Sequence, residues 1–444
     1  MGKTLGPEKR AYPRIKTQIK VGLPKNISGE SDDLSEGGLR FSSTETISSP
    51  IIDLKIHFPE EVPDFKINAK LIWRRNLEDG SSMYGVEFIE LNETQKAALR
   101  NELIKVQIKG LLLEIKNTKV REDVSSFFLK DMLEYVSEIN KVIAHLPKDD
   151  VYSEATEERL THLNNQIVLK GYCLEELLSD KIIMQKVRDN FRHLIGAWAY
   201  KSPILKRAFE KPRGYPGDYL MLEAVYDNRP SAKGIGFYFD KYFLDNPYAV
   251  AVRCRKDKLR EILKKEIKNS SLKIIKIFDI ACGSCREVKE LPQSLFKDKT
   301  VVFTCLDWDG EALVFSRQAV KDFPTNAKFN FIKEDIMNLI NSFDKQDLVY
   351  SIGLIDYLPD RVLRLFMQFF YGLLKEKGKL VLTHKNKEKT FSPLPPAWFC
   401  DWKFIPRSKE EVINLFYNCG IKNLSLSTEA DDFNDIFYFT IIKG

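Results

Sequence analysis

Between residues 15 and 90, apolar and polar positions alternate in short runs. Residues 14–23, 51–58, 65–73 and 83–91 are rich in β-branched and aromatic side chains, and Gly, Ser, Pro and Asp break them, as in Glu78-Asp79-Gly80-Ser81-Ser82. Such a period predicts a small antiparallel barrel or sandwich. Asn92, with Gln95 three places on, is a helix-start signature, because the Asn side chain can accept from the third backbone N–H while the Gln side chain reaches back. From about residue 94 to 200 the spacing turns helical: Leu111, Leu112 and Ile115, then Phe127, Phe128, Met132, Tyr135, Val136 and Ile139 form the core-facing stripes of a helical connector. From Leu272 onward, strand-like runs at 274–280, 301–307, 329–333, 348–352 and 379–384 alternate with helical stretches. This alternation predicts parallel strands covered by helices on both faces. Residues 424–427 and 436–442, separated by acidic turn residues, predict a terminal antiparallel hairpin.

Composition narrows the class. A chain of 444 residues holds several folded units, and 43% hydrophobic with 30% charged residues excludes disorder as the dominant state. Lys and Arg exceed Asp and Glu by 69 to 63, a weak bias with the signs interspersed, so no nucleic-acid polymer is expected as partner. There is no run of 18 apolar residues and the first 16 residues are charged, which predicts a cytoplasmic chain without a transmembrane segment. Gly2 follows Met1, but Gly6 stands where myristoylation requires Ser or Thr, so no lipid anchor is expected. Seven cysteines are scattered, and the close pair Cys282 and Cys285 has no second pair at zinc-site spacing; no metal is read from the sequence.

The candidate chemistry lies at the predicted strand ends. The first strand of the distal half runs into Asp279-Ile280-Ala281-Cys282-Gly283-Ser284-Cys285-Arg286-Glu287. Small residues at such a strand-to-helix turn let a ligand approach the backbone, where doubly wound sheets bind nucleosides. The next strand ends in Asp307-Trp308-Asp309, offering a carboxylate for ribose hydroxyls and an aromatic cover for a base. The third ends in Asp335-Ile336, suited to an exocyclic amine and a purine face, and the fourth in Ser351-Ile352-Gly353. Arg253, on the helix before the sheet, suits a carboxylate ligand. Cofactor contacts are thus expected from Arg253, Asp279, Ala281, Cys282, Gly283, Asp307, Trp308, Asp335, Ile336, Ser351 and Gly353. Tyr215, Asp218, Tyr219, Asp356, Tyr357 and His384 are the candidates for accepting a proton or orienting an acceptor.

Across residues 201–444 these features resemble the class I S-adenosylmethionine-dependent methyltransferases, which implies a Rossmann-like seven-stranded sheet with an antiparallel last strand. Ala281 and Cys285 stand where that family more often has glycine. The stretches Arg213-Gly214-Tyr215-Pro216-Gly217-Asp218-Tyr219, Ala281-Cys282-Gly283 with Arg286-Glu287, and Ser351-Ile352-Gly353-Leu354-Ile355-Asp356-Tyr357-Leu358 are similar to a bacterial subgroup described as 3-hydroxypalmitic acid methyl ester biosynthesis proteins. The resemblance implies S-adenosylmethionine as cofactor, a small-molecule or fatty-acyl acceptor, and a lid formed by the segment before the sheet. Residues 354–357 do not form the Asp/Asn-Pro-Pro-aromatic motif of amino-methylating enzymes.

Near the start of the chain, Arg10 and Arg14 lie four apart, and Asp33, Ser35 and Gly38 follow in what reads as a loop. Arginine forks suit phosphate oxygens and the Hoogsteen edge of guanine, and Asp33 with Ser35 suits its amino and imino groups. These residues match the R-x-x-x-R and D/N-x-S-x-x-G motifs, so residues 1–108 resemble a PilZ domain, with a longer spacer at 25–32. The resemblance implies a six-stranded antiparallel barrel that binds cyclic di-GMP through Arg10, Arg14, Asp33, Ser35 and Gly38. The expected organisation is this sensor at 1–108, a helical connector at 109–200, and the methyltransferase with its lid segment at 201–444. The expected function is a cyclic di-GMP-responsive methyltransferase. The alternative is a non-catalytic effector that uses a degenerate methyltransferase domain as an interaction surface. A homodimer is left open.

Overall fold

The computed structural model describes residues 12–24, 27–58, 63–146, 151–338, 343–421 and 424–444. The chain divides into two compact units. One runs to Lys206 and includes Ser231–Tyr242 and Trp398–Asp401; the other comprises Arg207–Pro230, Phe243–Ala397 and Trp402–Gly444.

The first unit begins with β1 (Ile15–Lys16), β2 (Lys20–Gly22), β3 (Ser28–Ser35), β4 (Gly38–Ser43), β5 (Ile51–Ile56), β6 (Phe65–Asn76) and β7 (Ser82–Ile89). The short β1 and β2 both pair with β3, at Ile15↔Leu34 and Val21↔Gly29. Between them Ser31 Oγ accepts from Ile19 N at 2.8 Å and meets Thr17 Oγ1 at 2.7 Å, so the two pieces act as one interrupted strand. The antiparallel ladder then runs from β2 to β5, β6, β7, β4 and back to β3, a closed six-stranded barrel with no free edge. Its interior is filled by Val21, Leu34, Leu39, Phe41, Leu54, Ile56, Ala69 and Tyr84, all nearly inaccessible to water. A fully buried side chain of this size contributes roughly 1.5–3 kcal/mol.

The sequence reading placed residues 33–38 in a loop; they are instead the end of β3, a two-residue turn and the start of β4. The segment Ser28–Ser35 is polar, with low intrinsic strand preference. Pairing on both sides, with β1 and β2 and with β4, makes it a strand nonetheless.

Helix α1 (Glu93–Glu114) starts with the expected capping box, Asn92 accepting from Gln95 N while the Gln95 side chain accepts from Asn92 N. It is followed by α2 (Thr118–Ser126), a π-helical turn at Phe127–Met132, α3 (Leu133–Ala144), α4 (Glu154–Leu177) and α5 (Lys181–Ala199). Phe127, Phe128, Met132, Tyr135, Val136 and Ile139 are all buried, so the helical stripe read from the spacing is a core.

Further helices are α6 (Pro203–Glu210), α7 (Tyr219–Asp227), α8 (Ile235–Leu244) and α9 (Pro247–Asn269). The second unit is then built on β8 (Ile274–Ile280), α10 (Arg286–Lys289), β9 (Thr300–Asp307), α11 (Gly310–Ala319), β10 (Ala327–Lys333), β11 (Gln346–Ile352), α12 (Asp360–Gly372), β12 (Leu374–Lys385), α13 (Leu394–Cys400), α14 (Lys409–Tyr417), β13 (Leu424–Ala430) and β14 (Ile436–Lys443). Spatial strand order is β10-β9-β8-β11-β12-β14-β13. The first five strands are mutually parallel, and β14 runs antiparallel to both neighbours.

One face of this sheet, with Phe278, Ile280, Val349 and Leu382, packs on Leu363, Met367 and Phe370 of α12 and Val412 and Phe416 of α14. The other, with Ile277, Phe303 and Tyr350, packs on Leu259, Leu263 and Ile267 of α9. Chain order reverses between β8 and β11, and such a switch point opens a crevice beyond the carboxyl ends of the strands. Among the described residues, no helix is long and apolar enough to cross a membrane.

Candidate functional site

That crevice holds a cavity of about 320 Å³, within the range of small-molecule sites. Ala281, Gly283, Asp307, Trp308, Ile352 and Gly353 line it from the strand ends; Tyr215, Gly217, Tyr219 and Leu222 from the segment before the sheet; and Tyr248, Val252 and Arg255 from α9. Leu354, Asp356, Tyr357 and Trp402 complete the wall.

The turn after β8 is left-handed at Ala281 (φ 58°), Gly283 (φ 53°) and Cys285 (φ 48°). Non-glycine residues there cost roughly 1–2 kcal/mol each, yet the turn keeps the shape glycine would give it. Asp307 holds it to β9: Oδ2 accepts from Gly283 N at 2.8 Å and Oδ1 from Asp309 N at 2.9 Å. Burial pushes the Asp307 carboxyl above its ordinary range, and these two N–H donors pull it back. Gly353 (φ 86°) takes a left-handed conformation, and a Cβ there would also crowd the Arg255 guanidinium at 3.0 Å.

Arg255 is buried, lies 3.9 Å from Asp356, and its Nε has no hydrogen-bond partner. That Nε is shielded within the wall, while the residue itself lines the cavity and offers its charge to an anionic ligand. Asp356 is itself fixed, accepting from Lys385 N at 2.8 Å.

Aromatic rings close the space. Tyr357 Oη accepts from Trp402 Nε1 at 2.7 Å, and Tyr215 lies with its ring 5.7 Å from Trp308. Arg213 binds both Asp309 oxygens at 2.9 Å and stacks 4.9 Å over the Tyr219 ring, tying the 213–219 segment to the end of β9. Burial raises the phenols of Tyr215, Tyr219 and Tyr357, so they stay protonated at neutral pH and serve as hydrogen-bonding walls.

Of the residues expected here, Tyr215, Tyr219, Asp356, Tyr357, Ala281, Gly283, Asp307, Trp308 and Gly353 line the cavity. The others lie elsewhere. Asp218 is buried, caps α7 through Met221 N and pairs with Arg207 at 2.8 Å. His384 is buried between Lys385 O (2.6 Å from Nδ1) and Arg407 (3.2 Å from Nε2); burial lowers its pKa, keeping it neutral. Arg253 donates to Leu244 O at 2.9 Å, and Arg255 is the arginine that faces the cavity. Ser351 Oγ donates to Ile280 O at 2.8 Å, bracing β11 on β8. Asp335 accepts from Met337 N at 2.9 Å, and Ile336 packs on the α12 face of the sheet. Asp279 lies in β8 beneath the turn and Cys282 is a buried member of it; burial pushes the Asp279 carboxyl well up.

The sequence reading missed Tyr248, Val252, Arg255 and Trp402. The first three stand at i, i+4 and i+7 on α9, a helical phase that would have selected Arg255 over Arg253.

At the end of the barrel, Arg14 pairs with Asp33, which also receives Arg40 at 2.8 Å. Ser35 Oγ donates to Gly38 O at 3.1 Å across the β3–β4 turn. A Cβ on Gly38 would sit 2.2 Å from Val86 O, so only glycine lets β4 approach β7. Arg14, Asp33, Ser35 and Gly38 are thus brought together; Arg10 lies outside the described residues. Within the turn, Glu36 forms a buried bidentate pair with Arg100 of α1, both contacts 2.7 Å.

Comparison with known proteins assigns both regions. Residues 8–105 match the PilZ domain and residues 277–378 a methyltransferase domain. The chain therefore joins a PilZ domain to a methyltransferase domain. No curated protein matches it. Among solved structures, similarity extends to a protein from Bordetella parapertussis described as possibly exported (15% identity, 74% of this chain and 99% of that one, TM-score 0.42). It also extends to magnesium protoporphyrin IX methyltransferase from Synechocystis PCC 6803 with bound S-adenosylmethionine (13%, 45% and 85%, 0.33), and to the N-methyltransferase NodS from Bradyrhizobium japonicum WM9 with S-adenosyl-L-homocysteine (16%, 45% and 89%, 0.31).

Proposed function

We propose that this protein is a cyclic di-GMP-responsive, S-adenosylmethionine-dependent methyltransferase that methylates the carboxylate of a fatty-acid-like small molecule. The cavity carries the reading: Asp307, the Ala281–Gly283 turn and Arg255, which Asp356 approaches only to 3.9 Å, line one space at the carboxyl edge of a methyltransferase-type sheet. These groups fit the cofactor, with a carboxylate for ribose hydroxyls, an open backbone turn and a cation for a carboxylate. When bound, the cofactor supplies a sulfonium-activated methyl group. The chain's own task is then alignment and exclusion of water, for which Tyr215, Tyr219, Tyr248, Tyr357 and Trp402 supply the walls.

A carboxylate acceptor suits this cavity because it needs no base. The phenols stay protonated, His384 lies outside the lining, and one Asp356 oxygen already accepts from the Lys385 backbone. The apolar and aromatic lining, together with resemblance to the hydroxy-fatty-acid methyl ester subgroup, favours an acyl chain. In the PilZ domain, the Arg14, Asp33, Ser35 and Gly38 cluster is the proposed cyclic di-GMP site. Regulation requires the nucleotide to favour one state of the catalytic domain by a coupling of roughly 1–3 kcal/mol.

Calorimetric titration with S-adenosylmethionine and S-adenosyl-L-homocysteine, with and without cyclic di-GMP, tests the assignment. Micromolar binding of both cofactor forms is expected, with methyl ester formed on 3-hydroxy fatty acids. Absence of cofactor binding below millimolar concentration would remove the catalytic reading, and cofactor binding without any turnover would favour the non-catalytic effector.

A further inference from the structure

Beneath the cofactor turn lies a cluster that the methyltransferase reading does not use. Asp279 ends β8, Cys282 and Cys285 belong to the turn, and Cys305 lies on β9, directly beside Asp279 in the parallel register. The Cys285 and Cys305 sulfurs and an Asp279 oxygen all lie within 4.8 Å of one another, and Cys285 Sγ is 3.8 Å from Asp279 Oδ2. Cys282, in the turn, adjoins both other thiols. All four residues are buried, and the cysteines are unbridged. Around them, Glu287 and Tyr350 contact Asp279, and Tyr350 Oη donates to Glu287 at 2.9 Å.

We propose that Asp279, Cys285 and Cys305 form the core of a structural site for one thiophilic divalent cation of the zinc class, with Cys282 turning in from the adjoining turn as the fourth ligand. Three soft sulfur donors and one carboxylate match the ligand set and the number of a closed tetrahedral site. With Zn–S about 2.3 Å and Zn–O about 2.0–2.2 Å, ligand-to-ligand edges of such a tetrahedron run about 3.5–3.8 Å. The Cys285–Asp279 contact of 3.8 Å already has that length, the other separations in the trio lie within 4.8 Å, and Cys282 must turn toward them to complete the tetrahedron. Glu287 and Tyr350 stand where outer groups orient a ligating carboxylate. On loading, the thiols and the Asp279 carboxyl give up their protons to solvent, and the sulfur and carboxylate lone pairs bind the cation, with no change of oxidation state. The ion would clamp the Cys282–Cys285 turn to β9, fixing Ala281 and Gly283 where they line the cavity. The site stands or falls independently of methyl transfer.

The test uses the full chain, reduced and stripped of metal, titrated anaerobically with Co²⁺ and then Zn²⁺. One Co²⁺ per chain is expected, with sulfur-to-cobalt charge-transfer absorption and intense tetrahedral visible bands, both abolished by stoichiometric Zn²⁺. Cys285→Ser and Cys305→Ser should each weaken Co²⁺ binding at least 100-fold, whereas the exposed Cys173→Ser leaves it unchanged. Because core substitutions can impair folding, the unaltered protein supplies a second readout: Zn²⁺ should raise its Tm, and a chelator should reverse the rise. A reduced protein lacking the charge-transfer band, a Tm indifferent to Zn²⁺, or binding lost in Cys173→Ser overturns the proposal.

Discussion

The motif cluster at the end of the barrel and the cavity of the methyltransferase domain solve the problem of a polar site in opposite ways. In the barrel the charges are already paired, Arg14 and Arg40 both on Asp33. A ligand there must exchange one ion pair for another, and the net gain is small. In the cavity wall a buried guanidinium has its carboxylate partner, Asp356, only at 3.9 Å, so its charge is loosely matched and a fitting anion would add to the pairing. Affinity in the first case comes from rearrangement, and in the second from completion.

The sharpest way to break this contrast is Asp307→Ala. It removes the acceptor for two backbone N–H groups as well as the proposed ribose contact, so S-adenosylmethionine affinity should fall at least 100-fold by calorimetry, about 2.7 kcal/mol, with cyclic di-GMP affinity unchanged. Retained cofactor affinity would mean the cavity is used otherwise.

Lys385 probes the same wall through stability. Buried with its ammonium 4.0 Å from the Phe404 ring and 4.5 Å from that of Tyr248, it is lowered by desolvation from its ordinary 10.5 to about 7. Between those two values the unfolded chain binds the additional proton, so this residue makes stability rise with pH across that window and costs most below it. Lys385→Met should therefore stabilise the protein near pH 7, by roughly 1–3 kcal/mol, and flatten the rise in urea midpoint between about pH 7 and 10.5. An unchanged pH slope would place the lysine in water.

For the barrel, Arg14→Ala should weaken cyclic di-GMP about tenfold, or about 1.4 kcal/mol. The loss is modest because it also frees Asp33 for Arg40 alone. A hundredfold loss would show that pre-pairing gives no such buffering. The smallest expected effect is that of Asn92→Ala, which removes the cap of α1 and should lower stability by about 1 kcal/mol while leaving both affinities intact.

The same contrast governs what could be read from the sequence. The barrel motif is compact in the chain, so Arg14, Asp33, Ser35 and Gly38 could be selected from spacing, although the polar strand that carries Asp33 could not. Its two-sided pairing is a property of the closed ring, invisible to local preference. In the methyltransferase domain, apolar runs revealed the parallel strands to within a few residues and pointed to Ala281, Gly283, Asp307 and Gly353. Trp402 reaches the cavity from a distant segment with no periodic pattern, and Cys305 comes beside Asp279 only through strand register. Asp218 and His384 stand outside the lining for a different reason: a buried polar residue near a site is as useful to a helix cap or a carbonyl as to a substrate.

The Glu36–Arg100 pair bears on how this protein may be cut. Shortening it after the last barrel strand, inside the matched stretch 8–105, would strand a carboxylate in the interior without its counter-charge. Any excised sensor or chimeric graft must therefore carry the first helix at least past Arg100, and a fragment that ends earlier tests the surgery more than the receptor.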